Sequence, residues 1–195
     1  MATTLLNRQS LQQALNELGQ RVFAEGKTVE IALYGGSALM LTFDWRVAPR
    51  DVDAVFEADR ETVRRLATII AEERGWDRDW LNDWVKGFLS ASDAGSKKLF
   101  GTYPSEDQPG LRVMLACPRY LYAMKCRAMR IAGVEGGSDV DDVRQLAKEI
   151  GITDADQALE LVAQFYPNHL IAPKTRFGLQ EILAAPLPGP EVTEQ

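Results

Sequence analysis

Leu11, Leu15, Leu18 and Val22 recur at helical spacing through a polar stretch, which predicts an amphipathic helix over 10–26. Ser10 with Gln13 three residues on has the form of a capping box, and Gly26 marks the end. The period then changes. Residues 28–34 are β-branched and apolar, too few for a typical helix, and run into Gly35 and Gly36, so they read as a buried strand. A nearly all-apolar helix over 37–43 follows, then a loop over 44–50 with one proline and two arginines, then a strand over 51–56. Val63, Leu66, Ala67 and Ile70 mark one face of a helix over 60–74, closed by Gly75. In 76–89, Leu81, Trp84, Val85 and Phe88 predict a short helix whose aromatic stripe faces the core.

Residues 90–110 shift to Gly, Ser, Asp, Lys and Pro and read as a loop with at most one short strand near 98–103, before a strand over 111–116. From Pro118 onward every periodic segment is helical: 119–131, 139–150, 154–165 with Thr153 as its cap, and 174–184. The pattern therefore predicts an α/β (α+β) chain. A small mixed sheet flanked by helices occupies 1–117, an all-helical C-terminal subdomain 118–185, and a flexible tail with three prolines 186–195.

Composition narrows the classes. At 195 residues with 46% hydrophobic and 26% charged content, the chain can bury a sizeable core and lies outside the disordered range. No apolar run approaches a membrane span, and MATTLLNRQS lacks a charged region followed by a long apolar stretch, so a cytoplasmic location and no membrane partner are expected. The net charge of −6 argues against a broad surface for coating nucleic acid, leaving only local basic sites. Candidates are Lys97 with Lys98, the run Arg119, Lys125, Arg127 and Arg130, and Lys174 with Arg176, each of which also suits a solvated face. Cys117 and Cys126 make no disulfide framework or metal motif, His169 is the single histidine, and no Ser/His/Asp or Cys/His group can be assembled.

The chemistry concentrates in 31–56. Asp51 and Asp53 flank one residue of an extended strand, so both carboxylates point one way while Val52 and Ala54 point into the core. Such a pair suits Mg²⁺, which prefers oxygen ligands and shares them with substrate phosphates. Gly35, Gly36 and Ser37 form a turn into a helix, where glycines admit a phosphate and the N-terminal N–H groups can hold it. Together these parts describe a site for a nucleoside triphosphate and its metal. No Gly-Lys-Ser/Thr follows the turn, which excludes a Walker-type loop.

Thirteen residues separate Ser37 from Asp51, and a Gly-Gly or Gly-Ser turn followed about a dozen residues later by an Asp-x-Asp strand resembles the nucleotidyltransferase superfamily. Downstream, YLYAMKCRAMR and SDVDDVRQLAKEIGI resemble the C-terminal half of AbiEii-like nucleotidyltransferases and the related DUF6036 family, through Lys125, Arg127 and Ala128 and then Asp139 and Asp142. The resemblance spans about 29–183. It implies a nucleotidyltransferase-like fold, a Mg²⁺ cofactor held by Asp51 and Asp53, and phosphates gripped by Gly35, Gly36 and Ser37. Lys125, Arg127 and Asp142 would join the nucleotide site. It further implies a bacterial toxin of a toxin–antitoxin or phage-defence pair, with a tRNA or protein acceptor and a cognate antitoxin. An RNA acceptor would dock on a confined strip such as Arg46, Arg50, Lys97 and Lys98.

Lys125 itself lies in an otherwise apolar helix, beside Leu121, Met124, Ala128 and Met129, where an ammonium is costly unless it is paired or faces a polar cleft. It reaches the triphosphate, snorkels to solvent, or pairs with Asp142 as a structural bridge. Asp139 and Asp142 share a helix face and suit either a site or a helix dipole. One departure weighs against catalysis. The strand over 111–116 presents Arg112 and Met114 but no third acid, leaving Asp93, Asp107 or Asp142 to complete the metal site. A catalytically silent module with the same fold is therefore the second reading, and a plain α/β protein with a coincidental motif the third.

Overall fold

Helix α1 (Arg8–Ala24) buries the expected stripe, with Leu11, Leu15, Leu18 and Val22 all inaccessible to solvent. Its start differs from the sequence expectation, because Ser10 is the third helical residue rather than the cap. Asn7 caps the helix by accepting the Ser10 N–H at 2.8 Å, and Ser10 Oγ accepts the Asn7 N–H at 3.1 Å. The computed structural model describes residues 6–45, 49, 51–56, 58–129 and 137–184. Arg46, Arg50, Arg130 and the tail over 186–195 lie outside the described residues. The chain divides into two compact units, one formed by residues up to 89 with 93–121, the other by 90–92 with residues from 122 on.

The first unit is built on a five-stranded mixed sheet of β1 (Val29–Leu33), β2 (Val52–Phe56), β3 (Leu81–Asn82), β4 (Lys97–Pro104) and β5 (Pro109–Ala116), ordered β3-β2-β1-β5-β4. β1 is central, antiparallel to β2 and parallel to β5, and its apolar residues are buried. Between β1 and β2 the chain forms α2 (Gly35–Thr42), in which Ala38, Leu39, Met40 and Leu41 are all buried. Each large apolar side chain so covered contributes about 1.5–3 kcal/mol. α3 (Arg60–Arg74) follows β2 and ends at Gly75 in the left-handed region, as the sequence predicts.

Two stretches differ from expectation. Residues 76–89 hold β3 and a 3-10 turn, Trp84–Phe88, in place of an amphipathic helix. Leu81 and Asn82 are drawn into the sheet by pairing beside Val52 and Asp53, a tertiary demand that local spacing does not carry. The aromatics of the expected stripe do not face the core: Trp84 is 67% and Phe88 45% exposed, and it is Trp80, outside the stripe, that is buried, with its indole N–H donating to Ala67 O at 2.9 Å. Residues 97–104 form a full eight-residue strand, β4, paired antiparallel to β5 with an irregularity between Leu99 and Gly101. That shift breaks the alternation that would have marked the strand.

α1 lies against β4, β5 and α3. The approach to the β4–β5 hairpin is close, since a Cβ on Gly110 would fall on the Gly19 carbonyl and one on Gly19 would meet the Tyr103 carbonyl. Ion pairs of Glu17 with Arg74 and of Arg21 with Glu73 join α1 to α3.

The second unit is helical: most of α4 (Pro118–Ala128), then α5 (Gly137–Ile150), α6 (Ala155–Phe165) and α7 (Pro173–Ala184). Val143, Leu146, Leu161, Val162, Leu179 and Ile182 are buried. Asp154, not Thr153, caps α6 by accepting the Gln157 N–H at 2.9 Å. Cys117 and Cys126 are free thiols, and burial pushes that of Cys126 up to about 12, which makes it unreactive. Among the described residues no helix is long and apolar enough to cross a membrane.

Candidate metal and nucleotide site

The alternation read along 51–56 is present. Val52 and Ala54 are fully buried, while Asp51 and Asp53 are partly exposed on the other side of the strand. Pairing of Leu33 with Ala54 brings the end of β1 beside β2, and the Tyr34 N–H donates to the Asp53 carbonyl at 2.9 Å. The glycine turn and the aspartate strand are thereby locked together through backbone.

Gly35 has φ of +57°, a conformation that L side chains rarely adopt, and a Cβ there would strike Asp53 Oδ2. The backbone conformation requires the glycine, and an added Cβ would also push the carboxylate of Asp53 aside. From Gly35 the chain enters α2 with Tyr34 as an extended cap whose side chain makes no capping bond, and the first intrahelical bond is Ala38 N–H to Tyr34 O at 3.2 Å. The N–H groups of Gly35, Gly36 and Ser37 precede that bond, and the positive end of the helix dipole lies with them. Ser37 is fully buried and its hydroxyl donates to Tyr34 O at 2.9 Å, so this side chain braces the turn from inside.

Asn82, on β3, was not singled out by the sequence. Its register partner is Asp53, and its Nδ2 donates to Asp51 Oδ2 at 2.9 Å while its Oδ1 accepts the Trp84 N–H at 3.1 Å. The buried amide thus orients one of the two carboxylates. The available signal was an Asn-Asp pair set among Trp80, Leu81 and Val85, polar residues inside an apolar run. Its neighbour Asp83 is also buried and meets Arg60, Arg64 at 2.7 Å and Lys86 at 2.9 Å. Burial alone would push that carboxyl up, but the bonds from Lys86 and Arg64 outweigh it and hold the carboxyl below its ordinary range.

The donor set of Asp51 and Asp53 fits a hard divalent cation: two carboxylates, one of them oriented by an amide, beside N–H groups suited to phosphate. Among the described residues no group of three or more acids, histidines or cysteines gathers, so no third acid joins the pair. The β5 strand presents Arg112 and Met114, as its sequence indicates. A carboxylate at a helix N-terminus is also a plain dipole partner, and Asp53 fills that role whatever else it does.

Lys125, Arg127, Asp139 and Asp142 lie in the second unit. Lys125 Nζ is 2.9 Å from both Asp139 Oδ1 and Asp142 Oδ2, its side chain 16% exposed and that of Asp142 2%. Burial works against the ammonium, yet the two carboxylates raise it above its ordinary range. Arg127 stacks its guanidinium over Tyr166 at 4.8 Å from the ring centroid.

No family model matches the chain, and no curated protein matches it. Among solved structures, it is similar to the crystal structure of an antigenic nucleotidyltransferase-like protein from Paracoccidioides brasiliensis. The two are 15% identical, the match covers 93% of this chain and 95% of the other, and the TM-score is 0.48.

Proposed function

We propose that the chain is a Mg²⁺-dependent nucleotidyltransferase of the AbiEii/DUF6036 kind, moving a nucleoside monophosphate from a nucleoside triphosphate to an acceptor. The observation that carries this reading is the contact of the Asp53 carboxylate with Gly35 at the start of α2, which joins a metal-capable acid to a phosphate-capable turn. Asp51 and Asp53 would hold the metal. When bound, Mg²⁺ would neutralise phosphate charge and favour ionisation of the attacking hydroxyl. The acceptor oxygen forms the new bond to the α-phosphorus, the bond to the bridging oxygen breaks, pyrophosphate leaves, and an aspartate takes the hydroxyl proton. The N–H groups of Gly35, Gly36 and Ser37 would receive the β- and γ-phosphate oxygens. Lys125, Arg127 and Asp142 enter the proposal on the resemblance of their stretch to the family, as do a tRNA or protein acceptor, a toxin role and a cognate antitoxin.

A second reading is a catalytically silent module of the same fold. Two observations favour it: no third acid gathers among the described residues, and Lys125 is held by Asp139 and Asp142.

The test is incubation with Mg²⁺, each labelled nucleoside triphosphate and total tRNA or cell extract, beside Asp51→Ala and Asp53→Ala. Label transferred by wild type and lost in both variants is the expected result. Transfer that survives both would overturn the metal assignment, and nucleotide binding without transfer would favour the silent module. Induced expression without a partner is expected to arrest growth, and unchanged growth would overturn the toxin role.

A further inference from the structure

Asn82 reaches Asp51 from β3, a strand of two residues, which is shorter than strands that hold their own place in a sheet. What holds it lies on either side. Two residues before Asn82, the Trp80 carbonyl accepts the Val52 N–H at 2.6 Å, and the buried Trp80 indole donates to Ala67 O on α3. One residue after Asn82, the Asp83 carboxylate meets Arg60 and, at 2.7 Å, Arg64, both also on α3. Arg60, Arg64 and Ala67 are spaced i, i+4 and i+7 and share one face of that helix. α3 therefore grips β3 at two points, and Asn82 stands between them.

The grip at Asp83 is the costly one. Its carboxylate is 6% exposed, and the loss of water around it is offset only by its cations, with Lys86 at 2.9 Å adding a third from the turn that follows. Bonds in which both partners are charged are roughly twice as strong as neutral ones, so the main chain at Asn82 and Asp83 cannot shift without breaking them. Arg60 and Arg64 are themselves 48% and 54% exposed, so one of them can be replaced without disturbing the core.

We infer that Asp83, held by Arg60 and Arg64, is a positioning residue for the metal site: it fixes the backbone beside Asn82, and so the amide that orients the Asp51 carboxylate. The inference rests on the reading of Asp51 and Asp53 as metal ligands. None of the three charged groups is a ligand; each acts through Asn82. Position and charge predict opposite signs here. By charge alone, an arginine repels a nearby cation and its removal tightens metal binding. By position, removal of Arg64 loosens Asp83 and weakens metal binding.

The experiment titrates the full-length protein, without nucleotide, with Mn²⁺, which takes the same oxygen ligands as Mg²⁺, and follows water-proton relaxation at a temperature below the melting of every variant. Asp83→Asn is expected to weaken Mn²⁺ binding about tenfold, the effect of losing an outer partner of a metal ligand. Arg64→Gln is expected to weaken it as well, against the sign of its charge. Arg78→Gln is the control: Arg78 shares the lining of one cleft with Asn82 and Asp83 but pairs with Glu72 at 2.6 Å, and its loss is expected not to weaken Mn²⁺ binding. Asn82→Ala with Asp83→Asn should lose no more affinity than Asn82→Ala alone, since one acts through the other. Unchanged or tighter binding by Arg64→Gln, or additive losses in the double variant, would overturn the inference. If Asp83→Asn does not fold, Arg64→Gln decides by itself. Mn²⁺ binding that Asp51→Ala abolishes and the Asp83 and Arg64 variants retain would overturn this inference and leave the metal reading intact. A wild type that binds no Mn²⁺ would overturn both.

Discussion

The carboxylate of Asp53 occupies the space that a β-carbon on Gly35 would need, and the carbonyl of Asp53 accepts the N–H of Tyr34, the residue just before that glycine. Side chain and backbone of one aspartate therefore both fix the turn. Gly35→Ala is expected to destabilise by about 1–3 kcal/mol through its positive φ and to displace the carboxylate. Gly26→Ala is the control, with φ of +69° and nothing near its added methyl group. If both lower the melting temperature but only Gly35→Ala abolishes Mg²⁺-dependent transfer, the contact with Asp53 is functional. Equal activity in the two would contradict the site.

Asn82 positions Asp51 without itself being a metal ligand. Asn82→Ala is expected to cost about 1–2 kcal/mol, since the buried amide also accepts the Trp84 N–H. The Mg²⁺ concentration for half-maximal transfer should rise about tenfold or more. A loss of stability with an unchanged Mg²⁺ requirement would reduce Asn82 to a packing residue.

Lys125 with Asp139 and Asp142 is a largely buried ion triad. Lys125→Met is expected to cost about 3–5 kcal/mol in urea denaturation, because two acids are left uncompensated. Adding Asp142→Leu should recover much of that loss. Because the folded ammonium titrates above its ordinary value, its contribution is complete below about pH 10.4 and is lost as pH rises through the higher folded value. Stability that does not decline in that alkaline range would contradict the pairing.

Asp59 caps α3 from the left-handed region, φ 45°, accepting the Thr62 N–H at 3.2 Å and meeting Lys27 at 2.7 Å. The bond from Lys27 first, then those from Thr62, lower its carboxyl to about 2. Its contribution is present above about pH 3.9, the ordinary value, and is lost as pH falls toward 2. Asp59→Asn retains the cap and should flatten that part of the acid titration, which NMR of the Thr62 amide would follow.

The parts legible in the sequence were those fixed by short-range period. Leu11 to Val22 and Val52 with Ala54 declare their buried faces through spacing alone. The ends of helices were less legible, because Asn7 and Ser10, three residues apart, and Thr153 and Asp154, side by side, compete for one cap and only the backbone decides between them. The contacts missed join distant stretches. Arg60, Arg64 and Lys86 meet Asp83 only after α3 and the 3-10 turn have packed, and Leu81 becomes a strand only because β2 has a free edge to fill. In the candidate site, the Asp-x-Asp alternation was readable, whereas the orienting amide of Asn82 was not, since pairing across β2 and β3 creates it.

The outer strands of the sheet bear on solubility. On one side β3 ends after two residues, and on the other β4 opens with Lys97 and Lys98. Strand-on-strand growth between molecules requires a long, flat, uncharged border, and neither border supplies one. Replacing the two lysines with threonine would remove that guard, and the variant is expected to form more sheet-rich aggregate at high concentration than the natural sequence does.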